Sequence, residues 1–131
     1  MGATLRYAKV VDRDAFQRDG GKVRPGLDSE VLLSDPAPTQ AQPFYVLRAW
    51  DYADAFTETW RITDPHGRTV HEGLPREVLA EHGELADEIQ EASFEYDDDG
   101  YQLILEIDGR EVARVDFPVR IGHALGEDAT A

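Results

Sequence analysis

The sequence predicts a mainly β fold, a sandwich of about seven strands with one short helical insertion. Three observations lead there. Short apolar or alternating runs recur along the chain, turn-forming Asp, Gly and Pro residues separate them, and a single segment repeats with helical spacing. Strands this short cannot bury two faces in one sheet, whereas two sheets packed about 10 Å apart can. At 131 residues the chain has the usual size of one domain, and with 41% hydrophobic residues it can fill a core without covalent staples. The domain is expected over residues 1–121, followed by a flexible C-terminal tail over 122–131.

Residues 4–11 read as the first strand, with Leu5 and Tyr7 alternating against Arg6 and Ala8 before the pattern blurs. Asp19-Gly20-Gly21-Lys22 then makes a turn, because paired glycines reach positive φ without steric penalty. Val31-Leu32-Leu33 is a second apolar run, and residues 34–43, rich in Pro, Ala and Gln, form an extended connector. Residues 44–50 make the next strand, with Phe44, Val46, Arg48 and Trp50 on one face and Tyr45, Leu47 and Ala49 on the other. Apolar residues on both faces mark a covered, central strand. Residues 56–63 alternate, with Phe56, Trp60 and Ile62 expected inside and Thr57, Thr59, Arg61 and Thr63 outside. Asp64-Pro65-His66-Gly67 turns the chain into a returning strand at 68–72.

The helical insertion is expected at residues 75–91, where Val78, His82, Leu85 and Ile89 recur at spacings of four, three and four. Pro75 suits a first helical position and Glu77 the positive end of the dipole, while Gly83 weakens the helix. A strand follows at 93–96, then an Asp97-Asp98-Asp99-Gly100 turn and a strand at 101–107 with Tyr101, Leu103, Leu105 and Ile107 on one face. Asp108-Gly109 is a strong hairpin signal. Residues 111–121 return, with Val112, Phe117 and Val119 expected in the core.

The final stretch, Gly100-Tyr101-x-Leu103-x-Leu105-x-Ile107-Asp108-Gly109 with Val112 and Phe117-x-Val119, resembles the last hairpin of many immunoglobulin-like sandwiches. Together with Asp19-Gly20-Gly21-Lys22 and Thr63-Asp64-Pro65-His66-Gly67-Arg68-x-Val70, it resembles a family of uncharacterised bacterial immunoglobulin-like proteins with a Gly-Gly-Lys turn after the first strand. The segment 75–91 departs from that pattern. The resemblance implies an immunoglobulin-like β-sandwich and brings no activity, catalytic residue or ligand with it.

Charge narrows the function classes. The net charge is −14, and residues 72–116 hold fifteen acids against three arginines, Arg76, Arg110 and Arg114. Phosphate backbones and anionic membranes are repelled by such a surface, so neither nucleic acid nor membrane is an expected partner. There is no cysteine, which removes disulfides, thiolate catalysis and zinc fingers. No basic, apolar leader opens the chain and no apolar run approaches membrane-spanning length, so a cytoplasmic protein is expected.

No catalytic pattern stands out. The serines Ser29, Ser34 and Ser93 lie in no Gly-x-Ser-x-Gly elbow, and the chain has no phosphate-binding glycine loop. His66, His71, His82 and His123 show no metal-ligand spacing. No catalytic residue, cofactor or metal is therefore assigned. Calcium takes six to eight oxygens, so the weak candidates for a cation are the loop acids Asp51, Asp54, Asp97, Asp98, Asp99 and Asp108. Asp is equally a good turn residue, its side chain capping its own backbone. Trp50 and Trp60 are expected in the core, with Tyr52 beside Asp51 and Asp54 an alternative binding patch. The functional expectation is a non-enzymatic module for protein–protein contact or self-association as a homodimer, through exposed sheet edges and residues 81–99. A cation- or small-ligand-binding sandwich is the alternative.

Overall fold

Wherever the sequence alternates, the backbone extends. The computed structural model describes residues 4–18, 20–23, 28–51, 55–78 and 82–122. Along them run β1 (Thr4–Asp12), α1 (Arg13–Arg18), β2 (Val31–Leu33), β3 (Thr39–Gln40), β4 (Phe44–Asp51), β5 (Phe56–Thr63), β6 (Thr69–Glu72), β7 (Arg76–Val78), β8 (His82–Ile89), β9 (Ser93–Phe94), β10 (Tyr101–Ile107), β11 (Arg110–Phe117) and β12 (Val119–Ile121). Twelve described strands form, where about seven are expected from the sequence, and seven of them have four residues or more; one of those, β8, lies where a helix is expected. The fold is a β-sandwich. The tail expected at 122–131 lies, apart from Gly122, outside the described residues.

Strand β4, apolar on both faces, is the middle of a three-stranded antiparallel sheet in the order β1-β4-β8. The facing sheet has the order β11-β10-β5, with β6 and β7 taking successive stretches of the other side of β5. Between them lies the core: Val10, Phe44, Val46 and Trp50 from one sheet meet Phe56, Trp60, Ile62, Leu103 and Leu105 from the other. Two small pairs, parallel β2-β12 and antiparallel β3-β9, add Val31, Leu33, Phe94 and Val119. The outer face of β4 is covered too. There Leu47 and Val11 are buried among Tyr7, Phe16, Val23 and Tyr45.

The pattern of β1 blurs for a physical reason. Leu5 pairs with Trp50 and Tyr7 with the next residue back, Ala49, so Arg6 is an extra residue that turns the strand over. Leu5 joins the main core and Tyr7 the outer cluster.

The helix expected at 75–91 is not formed; that segment carries β7 and β8. The register sets Leu85, Asp87 and Ile89 opposite Arg48, Val46 and Phe44, all facing inward, with Glu84, Ala86 and Glu88 exposed on the outside. This is period-two alternation, disguised because one inward position holds a charge. The short helix is instead α1. Asp12 caps it, its Oδ2 accepting the Ala15 N–H at 3.1 Å. Gly20 (φ 81°) and Gly21 (φ 70°) close it, donating to the carbonyls of Gln17 and Phe16 as in a Schellman motif. The Gly-Gly pair thus ends a helix.

At Asp108 (φ 51°) and Gly109 (φ 83°) the chain makes the two-residue hairpin that the sequence signals. Phe117 and Val119 are buried as expected, but Val112 is 46% exposed. Leu105 pairs with Ala113 and Glu106 with Glu111, so Val112 is the extra residue of a bulge and leaves the core face. Thr63, expected outside, is buried at the register shift opposite β6.

In the turn after β5, Asp64 Oδ1 accepts the N–H groups of His66 (2.8 Å) and Arg68 (2.9 Å). Burial alone would raise the Asp64 pKa, but those two amides and the Arg68 guanidinium outweigh it and hold it below the usual carboxylate value. Asp12 behaves oppositely: burial pushes its pKa up, and its Oδ1 has no hydrogen-bond partner among the described residues. The stability from Asp64 is therefore complete above about pH 4, the unfolded carboxylate pKa, and is lost as pH falls through its lower folded value. Asp12 contributes with the reverse sign. Urea unfolding at about pH 7 and about pH 3 should show a smaller acid-induced loss in Asp64→Asn than in the native chain. Equal losses would mean that the turn draws nothing from that charge.

Candidate functional site

Two charged residues occupy core positions on the facing sheets. Alternation puts Arg48 inward between Val46 and Trp50 on β4, and Glu58 inward between Phe56 and Trp60 on β5. The Arg48 side chain is 0% exposed and that of Glu58 1%. Arg48 Nε donates to Glu58 Oε2 at 2.9 Å and Nη2 donates to Glu58 Oε1, a two-pronged pairing across the sandwich. Arg48 Nη1 donates to the Val46 carbonyl at 3.0 Å and lies 3.4 Å from Asp87 Oδ2.

Two tryptophans complete the arrangement crosswise. Trp50 Nε1, from the sheet of Arg48, donates to Glu58 Oε2 at 2.6 Å. Trp60 Nε1, from the sheet of Glu58, donates to Asp87 Oδ2 at 2.7 Å. At the surface Arg76 Nη2 donates to Asp87 Oδ1 at 2.6 Å, spanning from β7 to β8. Every oxygen of Glu58 and Asp87 thus accepts at least one N–H, Asp87 Oδ1 taking its own from Arg76. Trp60 also stacks on His71 with ring centres 5.8 Å apart, and burial pushes the His71 pKa down. The loop after β6 must pass this indole closely. Gly73 N–H donates to the Trp60 carbonyl, and a Cβ at position 73 would stand 2.3 Å from Trp60 Nε1.

Asp87 reaches the surface in an open cleft of about 630 Å³ between β8 and the β6–β7 edge, walled by Trp60, Glu72, Leu74, Arg76, Asp87 and Ile89. Leu74 at its rim is 87% exposed. A second open cleft, about 620 Å³, lies on the outer face, with Phe16 and Leu47 inside and Arg6, Lys22 and Glu84 at its mouth. There burial and the Glu84 charge raise the Tyr7 pKa against the opposing charge of Arg6.

The sheet edges differ in kind. Strand β1 carries a bulge at Arg6, β11 one at Val112 and β6 one at Val70, and between β6 and β7 the edge is interrupted at Gly73, Leu74 and Pro75. Bulges and prolines spoil an edge as a template for further strands. Strand β1 is further engaged, since the Val10 carbonyl accepts the Glu30 N–H. Strand β8 is different. It pairs with β4 over eight consecutive residues with no shift, and with no described strand on its other side.

The loop acids do not converge. Asp97, Asp98 and Asp99 precede β10 at one end of the sandwich, while Asp51 ends β4 and Asp108 follows β10 at the other. Asp98 Oδ1 accepts the Gly100 N–H at 2.7 Å, and Asp99 lies 4.0 Å from Arg120. Asp108 Oδ1 accepts the Thr57 N–H at 3.0 Å, and Asp51 lies 3.7 Å from Arg6. Asp54, Tyr52 and His123 lie outside the described residues. Among the described residues no three of His, Asp or Glu group to hold a metal ion, and no helix is long and apolar enough to cross a membrane. Trp50 and Trp60 are buried as expected. Sequence reasoning passed over Glu58 and Asp87. Their one visible signal is an acid in the inward phase of an alternating strand.

Glu58→Ala would leave Arg48 buried without its carboxylate and should lower stability by roughly 3–5 kcal/mol in urea unfolding. Arg48→Met combined with Glu58→Leu should recover part of that loss, because it removes the unpaired buried guanidinium while the Trp50 N–H still lacks its acceptor. A Glu58→Ala chain that unfolds at the native urea midpoint would show that the pair carries no weight.

No family model, no curated protein and no solved structure matches this chain.

Proposed function

We propose that this chain is a non-enzymatic, immunoglobulin-like binding module that takes an extended segment of a protein partner along β8. The observation that carries the reading is the regularity of that edge. The other long edges carry bulges or breaks, and β8 alone among the described strands offers an unbroken row of backbone donors and acceptors. Strand addition uses such a row for affinity and the flanking side chains for selectivity. Strand β8 also falls inside residues 81–99, the acidic stretch that the sequence marks as a contact region.

A further feature supports the immunoglobulin-like part of the reading. At the start of β10 the Tyr101 hydroxyl accepts the Tyr96 N–H at 3.1 Å and donates to the Tyr96 carbonyl at 3.0 Å. A tyrosine bonded to backbone a few residues upstream, at a sandwich corner, is a hallmark of such domains. Cation binding by the acidic loops is the weaker reading, because Asp97, Asp98 and Asp99 sit at the opposite end from Asp51 and Asp108, and Asp51, Asp98, Asp99 and Asp108 already engage backbone N–H groups or arginines.

Short random peptides displayed on phage and selected against the whole chain should yield extended binders. Amide exchange should then show protection at the β8 N–H groups that point away from β4. Protection confined to another surface, or no selected binder, would overturn the reading.

A further inference from the structure

We infer that the segment received by β8 is basic, with an arginine or lysine opposite Asp87 that takes Asp87 Oδ1 over from Arg76. This rests on strand addition at β8 and names the chemistry of its occupant. A residue directly opposite Asp87 on an added strand points to the same face, its Cβ about 5 Å from that of Asp87. Its side chain then enters the cleft of about 630 Å³ between β8 and the β6–β7 edge. What it meets there is one half-open carboxylate. Oδ2 is held from inside by Trp60, with Arg48 3.4 Å away, while Oδ1 faces the cleft with Arg76 as its described partner.

Arg76 is suited to give way. Its side chain is 43% exposed, it sits on a three-residue strand, and its neighbours Pro75 and Leu74 are exposed. Asp87 is only 18% exposed and is pinned from two sides. The carboxylate is therefore the largely buried receptor, and Arg76 the exposed cation that now fills it. An exchange of one guanidinium for another keeps the site's charge balance, so Asp87 is never left without a cation. An acidic or neutral side chain at that position gives Asp87 nothing in return for Arg76.

The same charges disfavour a second copy of the chain as the occupant. Symmetric antiparallel pairing centred on Ala86 sets Glu84 opposite Glu88 twice, and like charges directly opposite are destabilising, whereas pairing centred on Leu85 avoids that clash and is opposed by the net charge of the two copies. Exposed Glu84 on the outer face of β8 and the net charge of −14 favour a basic strand instead, while Glu88 beside it is shared with Arg13 at 3.2 Å.

The test uses the whole chain and a set of end-capped peptides of alternating threonine and valine, N-methylated along one edge so that only the other edge can pair. One central, inward-facing position is arginine, lysine, citrulline or glutamate. Arginine and lysine peptides should bind about tenfold or more tightly than the citrulline peptide, and the glutamate peptide weakest, with protection at β8 in each bound case. In Arg76→Gln the arginine-to-citrulline ratio should widen further, because the competing cation is gone. Equal binding of arginine and citrulline by the native chain would overturn the inference while leaving strand addition in place. No binding of any peptide would remove both readings. Weaker arginine-peptide binding by a folded Arg76→Gln chain would also overturn the exchange. If that variant does not fold, the native chain's preference decides alone. Concentration-dependent self-association through β8 that excludes the peptides would put a second copy in its place.

Discussion

A guanidinium wholly removed from water has to be met inside the protein, and Arg48 is met by Glu58 from the opposite sheet. The consequences spread outward from that pairing. Glu58 draws the Trp50 indole, and Asp87, beside Arg48, draws Trp60, so each tryptophan is anchored to a carboxylate on the sheet it does not belong to. Four N–H···O contacts and ion pairs thereby tie β4, β5 and β8 at one level of the sandwich. Hydrophobic contacts alone are non-directional and would tolerate some sliding of one sheet over the other. These polar contacts do not. A one-residue slip of β8 along β4 would turn Asp87 to the outside, bring Ala86 or Glu88 in, and leave the Trp60 N–H unpaired in the core.

That dependence explains which parts of the fold were legible beforehand. Strands β4, β5, β10 and the Asp108-Gly109 hairpin follow local rules, and local rules are visible in sequence: alternation, continuous apolar runs, and turn residues with positive φ. Strand β8 follows a rule that is not local. Its inward position 87 is charged because Arg48, distant in sequence, stands in the core beside it. Alternation was therefore hidden, and the accidental spacing of Val78, His82, Leu85 and Ile89 read as a helix. The bulges at Arg6 and Val112 escaped for a similar reason. An extra residue is defined by the partner strand's register, which no single run of residues contains. The capping of α1 was half visible, since Gly20-Gly21 signalled positive φ but not that a helix ended there.

The candidate site was legible only by its setting. Acidic composition and exposed edges marked the region, whereas Asp51, Asp97, Asp98, Asp99 and Asp108 drew attention as possible cation ligands. Four of those acids are explained by what they engage, Asp98 and Asp108 by backbone N–H groups and Asp51 and Asp99 by arginines. The informative acids were those in the inward phase of a strand, Glu58 and Asp87. An acid on a loop needs no explanation, but an acid among Phe56, Trp60, Phe44 and Val46 requires a partner.

The edges show how one residue can serve two ends. A β-protein must keep its open strands from pairing with copies of itself, and this chain does so at β1, β6 and β11 by bulges that bend or interrupt the ladder. A bulge blocks every partner alike. At β8 the ladder is left regular, and the restraint is charge: Glu84 and Glu88 outside, Asp87 inside. Charge discriminates where a bulge cannot, since an acidic edge repels a second acidic strand and attracts a basic one. Asp87 takes part in this only because Trp60 and Arg48 hold it in place. The contact that fixes the register of β8 is thus also the one that gives its edge a preference.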